Sequence, residues 1–359
     1  MAPYYVMVAV PAILSLLFSG RTDKFSEHKK NKTVIWFFFG IVLFMLSLRG
    51  EKVGSDTPVY LYHFEKISRF SIEQIFEQYE NEYGYYLLNK AISFFTKNNQ
   101  IFLAIIAIIC VAPVAHLYAK NSENAMLTIA IFIISSNFPI LFSGLRQSIA
   151  LAVVAISYKY IKEKKLWKFL LLILLAFFFH KSALVALLLY PMYHMKITKP
   201  KLFVFIPIIA TVFVFNKPIF EFMIQFLGEY GENYSAKETG AYAMIVLFAL
   251  FVLLAYIAPD ESKMDKETIG LRNIMVLALT MQTFALASPV AMRMNYYNIM
   301  LVPLLLPKII NRCHDRNRKT YQFIELGLIV FFILYYFYRA YTSDPATTLM
   351  LYPYKGFWE

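Results

Sequence analysis

Apolar residues recur along this chain in long runs separated by short polar stretches. The runs predict helices near residues 4–18, 34–48, 101–118, 125–138, 143–161, 202–216, 241–258, 271–287, 295–310 and 321–338. A helix that crosses a bilayer needs roughly 17–25 mostly apolar residues, and the pattern fits repeated crossings. A longer apolar stretch, 167–193, is interrupted by His180 and Lys181 and reads as two short spans meeting at that break. Tyr85–Phe95 is apolar but short, which suits an interfacial or re-entrant helix better than a span.

The polar stretches orient the helices. Segment 19–32 carries Arg21, Lys24, Lys29, Lys30 and Lys32 against Asp23 and Glu27, and 159–168 carries five lysines against Glu163 alone. Lys196, Lys199 and Lys201 are unopposed, and Arg312, Arg316, Arg318 and Lys319 face only Asp315. The positive-inside rule makes these four segments cytoplasmic. By contrast, 49–82 sets Arg49, Lys52, Lys66 and Arg69 against seven carboxylates, and 217–240 sets Lys217 and Lys237 against four glutamates. Both are expected outside. The sides alternate without contradiction only if 167–193 crosses twice.

Composition agrees: 59% of the 359 residues are hydrophobic and mean hydropathy is +0.54, well beyond the needs of a soluble core. The net charge of +12 does not indicate nucleic acid, because the basic residues lie in short loops between apolar runs. Cys110 and Cys313 offer neither a disulfide framework nor a zinc motif. No basic residue precedes the first apolar run, so an uncleaved first span is expected rather than a signal peptide. The fold class is therefore all-α, a polytopic transmembrane bundle of about twelve spans. Residues 1–359 are expected to form a single membrane domain, with 49–100 as a long extracytoplasmic loop carrying interfacial helices.

Within that loop Asp56-Thr57-Pro58 reads as a helix start, and Ser71 with Gln74 as a capping box. Ionisable groups near membrane depth mark candidate chemistry. Arg146, in Ser143-Gly144-Leu145-Arg146-Gln147, falls at a helix N-terminus, where free N–H groups and the dipole favour an anion. His180 occupies the break in 167–193. Arg293 lies in a short turn before Tyr296 and Tyr297, and Arg339 at the end of the last helix. Asp56 fits either a helix cap or a catalytic carboxylate, and Glu82 reads as a loop carboxylate. Snorkelling to headgroups is the competing explanation for each arginine. Taken together these residues suggest an outward site for phosphate or pyrophosphate with a nearby proton acceptor. No phosphate-binding glycine loop, DxD pair or HExxH is present, so no cofactor and no metal is expected.

At these residues the sequence resembles the EpsG family of exopolysaccharide and capsule proteins, grouped with Wzy-like polysaccharide polymerases. The resemblance rests on Val53-Gly54-Ser55-Asp56-Thr57 with Tyr60 and Phe64, and on Glu82-Tyr83-Gly84-Tyr85 with Leu87-Leu88-Asn89. Gly144-Leu145-Arg146-Gln147, Phe179-His180-Lys181-Ser182-Ala183, Arg293 with Tyr296 or Tyr297, and Tyr352-Pro353-Tyr354 complete it. It implies a GT-C-like, metal-independent glycosyltransferase in the bacterial cytoplasmic membrane. Such an enzyme joins undecaprenyl-pyrophosphate-linked oligosaccharide repeat units on the outer face. Arg146, Arg293, Arg339 and Gln147 would then hold pyrophosphate, and Arg49, Tyr85 and Tyr297 the glycan. His180 or Asp56 would take the acceptor proton, with Glu82 next in line. The bilayer, a chain-length regulator and a flippase are the expected partners. A transporter or flippase of lipid-linked glycans is the alternative. An O-acyltransferase fits less well, because its histidine would have to reach a cytoplasmic donor.

Overall fold

The computed structural model describes residues 1–18, 24–195, 197–224, 242–257, 260–313 and 318–359. The loop charges expected at Arg21, Asp23, Lys196, Asp315 and Arg316, and at 225–240, lie outside the described residues. Among the described residues the chain is helical, and the single extended pairing is an isolated bridge between Arg49 and Gly356.

Two compact units form, Met1–Leu184 with Phe323–Glu359, and Val185–Gln322. The first contains α1 (Ala2–Leu17), α2 (Lys24–Leu48), α3 (Thr57–Arg69), α4 (Ile72–Gln78), α5 (Tyr83–Ser93) and α6 (Asn99–Asn121). It continues through α7 (Ala125–Ile134), α8 (Asn137–Ser143), α9 (Leu145–Lys162) and α10 (Leu166–Phe179). The second contains α11 (Leu189–His194), α12 (Lys199–Val214), α13 (Asn216–Ile224), α14 (Tyr242–Ile257), α15 (Lys266–Thr283), α16 (Pro289–Ile299) and α17 (Val302–Cys313). Helix α18 (Arg318–Thr342) starts in the second unit and returns to the first.

Among the described residues four helical stretches are long and apolar enough to cross a bilayer: Glu27–Leu48, Asn99–Asn121, Lys266–Leu286 and Lys319–Thr342. Two bent pairs raise this to six if each is one span: α7 with α8, bent by 61°, and Pro200–Val214 with Asn216–Phe222, bent by 80°. Shorter apolar helices occur at Ala2–Leu17, Leu166–Phe179 and Tyr242–Ile257. The expected helix 125–138 is thus two pieces, because Ser135 and Ser136 interrupt it. The expected helix 295–310 is likewise divided, into α16 and α17.

In the first unit α2 packs on α6, α6 on α9 and α9 on α10. Rings lock α2 in place: Phe39 stacks on Tyr118 of α6 at 5.8 Å and tilts against Phe132 of α7 at 5.2 Å. Aromatic pairs at such distances add about 0.5–1.5 kcal/mol beyond their buried area. In the second unit α15 is the central post, contacted by α14, α16, α17, α11 and α12. Gly270 lets that post approach the Tyr193 ring, where a Cβ would fall 2.5 Å from ring carbons. Phe220, Met281, Phe284, Ala287, Ala291 and Met294 form an apolar cluster at its far end.

The C-terminal tail pins the segment after α2. Gly50 N–H donates to the Lys355 carbonyl (2.9 Å), Ser55 N–H to Leu349 (2.9 Å) and Phe357 N–H to Leu48 (3.0 Å). Tyr354 Oη donates to the Met45 carbonyl at 2.9 Å, and Tyr4 Oη to Leu351 at 2.6 Å. These bonds satisfy backbone groups that a loose loop would leave to water, and they fix the segment that leads into α3.

Candidate active site

Three separate stretches of the first unit meet at Glu82. Helix α10 stops at His180, whose backbone is extended (φ −154°, ψ 121°), so its side chain and the following N–H project from the helix end. Helix α9 starts at Leu145, which places Arg146 in its first turn. Glu82 is the N-cap of α5 and adopts the left-handed conformation at φ 57°. A non-glycine residue held there costs of order 1–3 kcal/mol, and such strain concentrates at functional positions. Gly84 makes the meeting possible. A Cβ there would lie 2.7 Å from Phe178 Cδ1 and 2.9 Å from the Phe178 carbonyl oxygen, so only glycine lets α5 touch the end of α10.

Three donors converge on the carboxylate of Glu82. Arg146 Nη1 donates to Oε2 at 2.7 Å, His180 Nδ1 lies 2.7 Å from Oε1, and Lys181 N–H donates to Oε1 at 3.1 Å. Its side chain is 1% exposed, against 13% for His180 and 35% for Arg146. Burial by itself would raise the carboxyl pKa. The His180 hydrogen bond and charge, the Arg146 charge and the Lys181 N–H outweigh it and hold Glu82 at about 2. Glu82 is therefore ionised at neutral pH and can only accept. It follows that His180 Nδ1 carries the proton, and in the neutral ring the lone pair sits on Nε2. Arg146 has five N–H donors, of which Glu82 takes one and the Tyr60 hydroxyl engages the guanidinium as well, so its partly exposed fork still keeps donors for a second anion. Gln147 Nε2 donates to Ser182 Oγ at 3.5 Å, a further link between α9 and the His180 segment.

Asp56 stands at the margin of this cluster. It occupies the N-cap position of α3, but its side chain makes no capping hydrogen bond, contrary to the expected cap. Instead Oδ1 accepts from Ser55 Oγ at 3.0 Å, and its N–H donates to Ser143 Oγ at 3.3 Å. Gly54, at φ 91°, permits this approach, since any Cβ there would collide with the Phe142 carbonyl at 2.0 Å. Asp56 is thus free of capping duty and is presented beside Ser143, three residues before Arg146. The Ser71–Gln74 capping box forms as expected, with Ser71 N–H donating to Gln74 Oε1 (2.8 Å) and Gln74 N–H to Ser71 Oγ (3.2 Å).

The remaining expected residues are dispersed. Tyr85 follows Glu82 on α5 and is buried against the Tyr60 ring at 5.4 Å, and both feel the Arg146 charge. Arg49 is buried under the α2–α3 segment, with Nη1 3.5 Å from the Leu141 carbonyl and its guanidinium 5.9 Å from the Phe142 ring. Arg339 is exposed near Tyr352. Arg293 and the buried Tyr297 belong to the second unit. Glu82, read from sequence as one more loop carboxylate, is instead the buried centre of the site. The usable signal was Gly84 two residues on. Also unforeseen is Arg272 of the second unit, buried with its guanidinium 4.0 Å from the Tyr256 ring centroid. It donates to the Ile197 carbonyl (2.8 Å) and to Glu261 Oε1 (3.1 Å).

An all-helical fold with several bilayer-length helices defines a multi-pass membrane protein, and its first unit holds a buried carboxylate–imidazole–guanidinium cluster. The chain belongs to the EpsG family, whose model matches residues 32–355, so it is a membrane protein of polysaccharide biosynthesis. No curated protein and no solved structure matches it.

Proposed function

We propose that the protein is a lipid-linked oligosaccharide polymerase. In this reading an acceptor sugar hydroxyl attacks the anomeric carbon of a chain carried on undecaprenyl pyrophosphate. The new C–O bond forms as the bond to pyrophosphate breaks, and the acceptor proton passes to His180 Nε2. Arg146, with Gln147 beside it, balances the charge that develops on the leaving pyrophosphate. Glu82 keeps His180 in the reactive tautomer and Arg146 in place, and Asp56 orients the acceptor hydroxyls. The observation that carries the proposal is Glu82 bridging Arg146 and His180 at 2.7 Å each, which sets a proton acceptor and an anion holder on one carboxylate.

The same reading treats 1–359 as one membrane domain of about twelve crossings with GT-C-like organisation, in the cytoplasmic membrane with the Glu82 cluster outside. Against the four to six candidate spans among the described residues, this reading counts the shorter apolar helices at Ala2–Leu17, Leu166–Phe179 and Tyr242–Ile257 as further crossings. Carboxylate-rich 49–82 and the lysine-rich 159–168 support that orientation.

The test is purified protein in liposomes with lipid-linked repeat units, read as a ladder of longer chains. His180→Gln hydrogen-bonds but takes no proton at pH 7, and it should lower elongation by about 100-fold or more. Activity retained in His180→Gln and lost in Asp56→Asn reverses the two roles. Movement of repeat units across the bilayer without joining identifies a flippase instead.

A further inference from the structure

A row of aromatic rings leads away from the Glu82 cluster along α3 and α5. Tyr85, 1% exposed, packs edge-on against Tyr86 at 5.6 Å. Tyr86 stacks on Tyr79 with centroids 3.8 Å apart and planes within 14°. His63 sets its ring against both, 6.1 Å from Tyr86 and 5.7 Å from Tyr79, and its Nδ1 is 3.1 Å from Tyr79 Oη. Tyr62 follows, 5.8 Å from His63 and 61% exposed. The row therefore starts buried and ends in the open. Its inner end borders the site, because the charges of Arg146 and Glu82 both act on Tyr86, and that of Arg146 on His63.

The row is held rigidly. Lys90 Nζ donates to the Ser68 carbonyl at 3.3 Å and Lys66 Nζ to Gln78 Oε1 at 3.1 Å, tying α3 to the elements that carry Tyr79 and Tyr86. Rigid phenol and imidazole rings give large contact area at little entropic cost, with polar edges for hydrogen bonds. A pyranose presents the matching pattern, one face of C–H bonds and a rim of hydroxyls. The surrounding charge narrows the choice. Glu65, Glu73, Glu77 and Glu80 are exposed here against Lys66, Arg69 and Lys90, a small negative excess that disfavours a polyanion and leaves an uncharged chain unaffected.

We propose that Tyr79, His63 and Tyr62, backed by the buried Tyr86, form a glycan track that binds uncharged sugar rings of the chain whose end occupies the Glu82 cluster. The proposal rests on the polymerase reading above and adds the path and charge class of the polymer. A track of this kind favours acceptors that already carry several repeats.

The test compares parent, Tyr62→Ala and Tyr62→Trp in liposomes, using repeat units extracted from host membranes on their lipid carrier. In Tyr62→Ala, joining of two single repeats should stay within about twofold of the parent. The apparent KM for multi-repeat acceptors should rise about three- to tenfold, with a shorter product ladder, and Tyr62→Trp should restore both. An unchanged ladder in Tyr62→Ala overturns the proposal. So does an equal loss with short and long acceptors, which marks Tyr62 as a headgroup anchor. Should the parent form no ladder, the polymerase reading fails separately, and the track is then judged by saturation-transfer NMR with the delipidated oligosaccharide. Signal in the parent that falls in Tyr62→Ala supports the track, and no signal in the parent sinks it.

Discussion

Replacing Glu82 by glutamine keeps the side-chain shape and the left-handed backbone, but removes the charge and turns one accepting oxygen into an NH2 donor. The folded protein holds this carboxyl at about 2 against an ordinary 4.5. At about 1.36 kcal/mol per pKa unit, that displacement makes ionised Glu82 worth on the order of 3 kcal/mol to the fold. Glu82 itself is 1% exposed and needs no discount for solvent, but Arg146 is 35% exposed, so its share is screened and the lower side of the figure applies. Removing one member of a buried ion pair costs about 3–5 kcal/mol in comparable settings, which agrees. Because the folded value lies below the ordinary one, the contribution is complete above pH 4.5 and disappears as pH falls through about 2.

The assay is unfolding of detergent-solubilised parent and Glu82→Gln between pH 7 and pH 2, at matched detergent and salt. We expect the parent to be more stable by about 3 kcal/mol at pH 7, and the gap to close across the lower part of that range. Elongation should fall with it by about 100-fold or more, since a glutamine amide facing Nδ1 allows the wrong imidazole tautomer. A gap that does not change with pH, or a glutamine variant as stable as the parent at pH 7, would refute a buried ionised Glu82.

Two further substitutions probe the geometry. Gly84→Ala forces a Cβ against the Phe178 backbone, so it should destabilise the protein by about 1–3 kcal/mol and weaken the Glu82–His180 contact, read as reduced elongation at matched membrane abundance. Parental activity in Gly84→Ala would show that the close approach of α5 to α10 is dispensable. Arg146→Lys keeps charge but loses the planar fork, so elongation should fall nearly as far as in Arg146→Ala. If only the alanine variant is impaired, a point charge suffices and the two-anion role is wrong.

Much of the fold was legible because bilayer helices advertise themselves by length and hydropathy. The interruption at His180 was legible too, from Lys181 and from loop charge, and α10 does end there. Bends were less visible. Ser135 and Ser136 divide α7 from α8. The signal in Ser135-Ser136-Asn137 with Pro139 close behind, which lacks the N–H to continue α7, was passed over because the run carries no charge to mark a 61° turn. Buried ion pairs were the least visible. Arg272 lies inside α15 and reads as an ordinary helical arginine, and nothing local predicts that Glu261, the Ile197 carbonyl and the Tyr256 ring converge on it. Such pairings depend on tertiary placement, which spacing along one helix does not encode.

The choice among three candidate bases turns on the same distinction. From sequence, His180, Asp56 and Glu82 were all polar groups in loops or breaks, separated only by residue type. Placement separates them further. A carboxylate held at about 2 by a guanidinium, an imidazole and a backbone N–H is too weak a proton acceptor to serve a sugar hydroxyl at neutral pH. Its geometry suits a different task, because one oxygen faces Arg146 and the other faces His180. Glu82 is therefore the residue that positions the other two. Asp56, bonded to Ser55 and beside Ser143, lies on the far side of Arg146 in sequence and is pinned by no cation in the described structure. With Nδ1 committed to Glu82, His180 is left with one nitrogen whose lone pair has no competing task. In the proposed reaction the proton therefore goes to Nε2, and the pH-dependent stability expected of Glu82 and the elongation defect expected of His180→Gln both test the Glu82–His180 hydrogen bond.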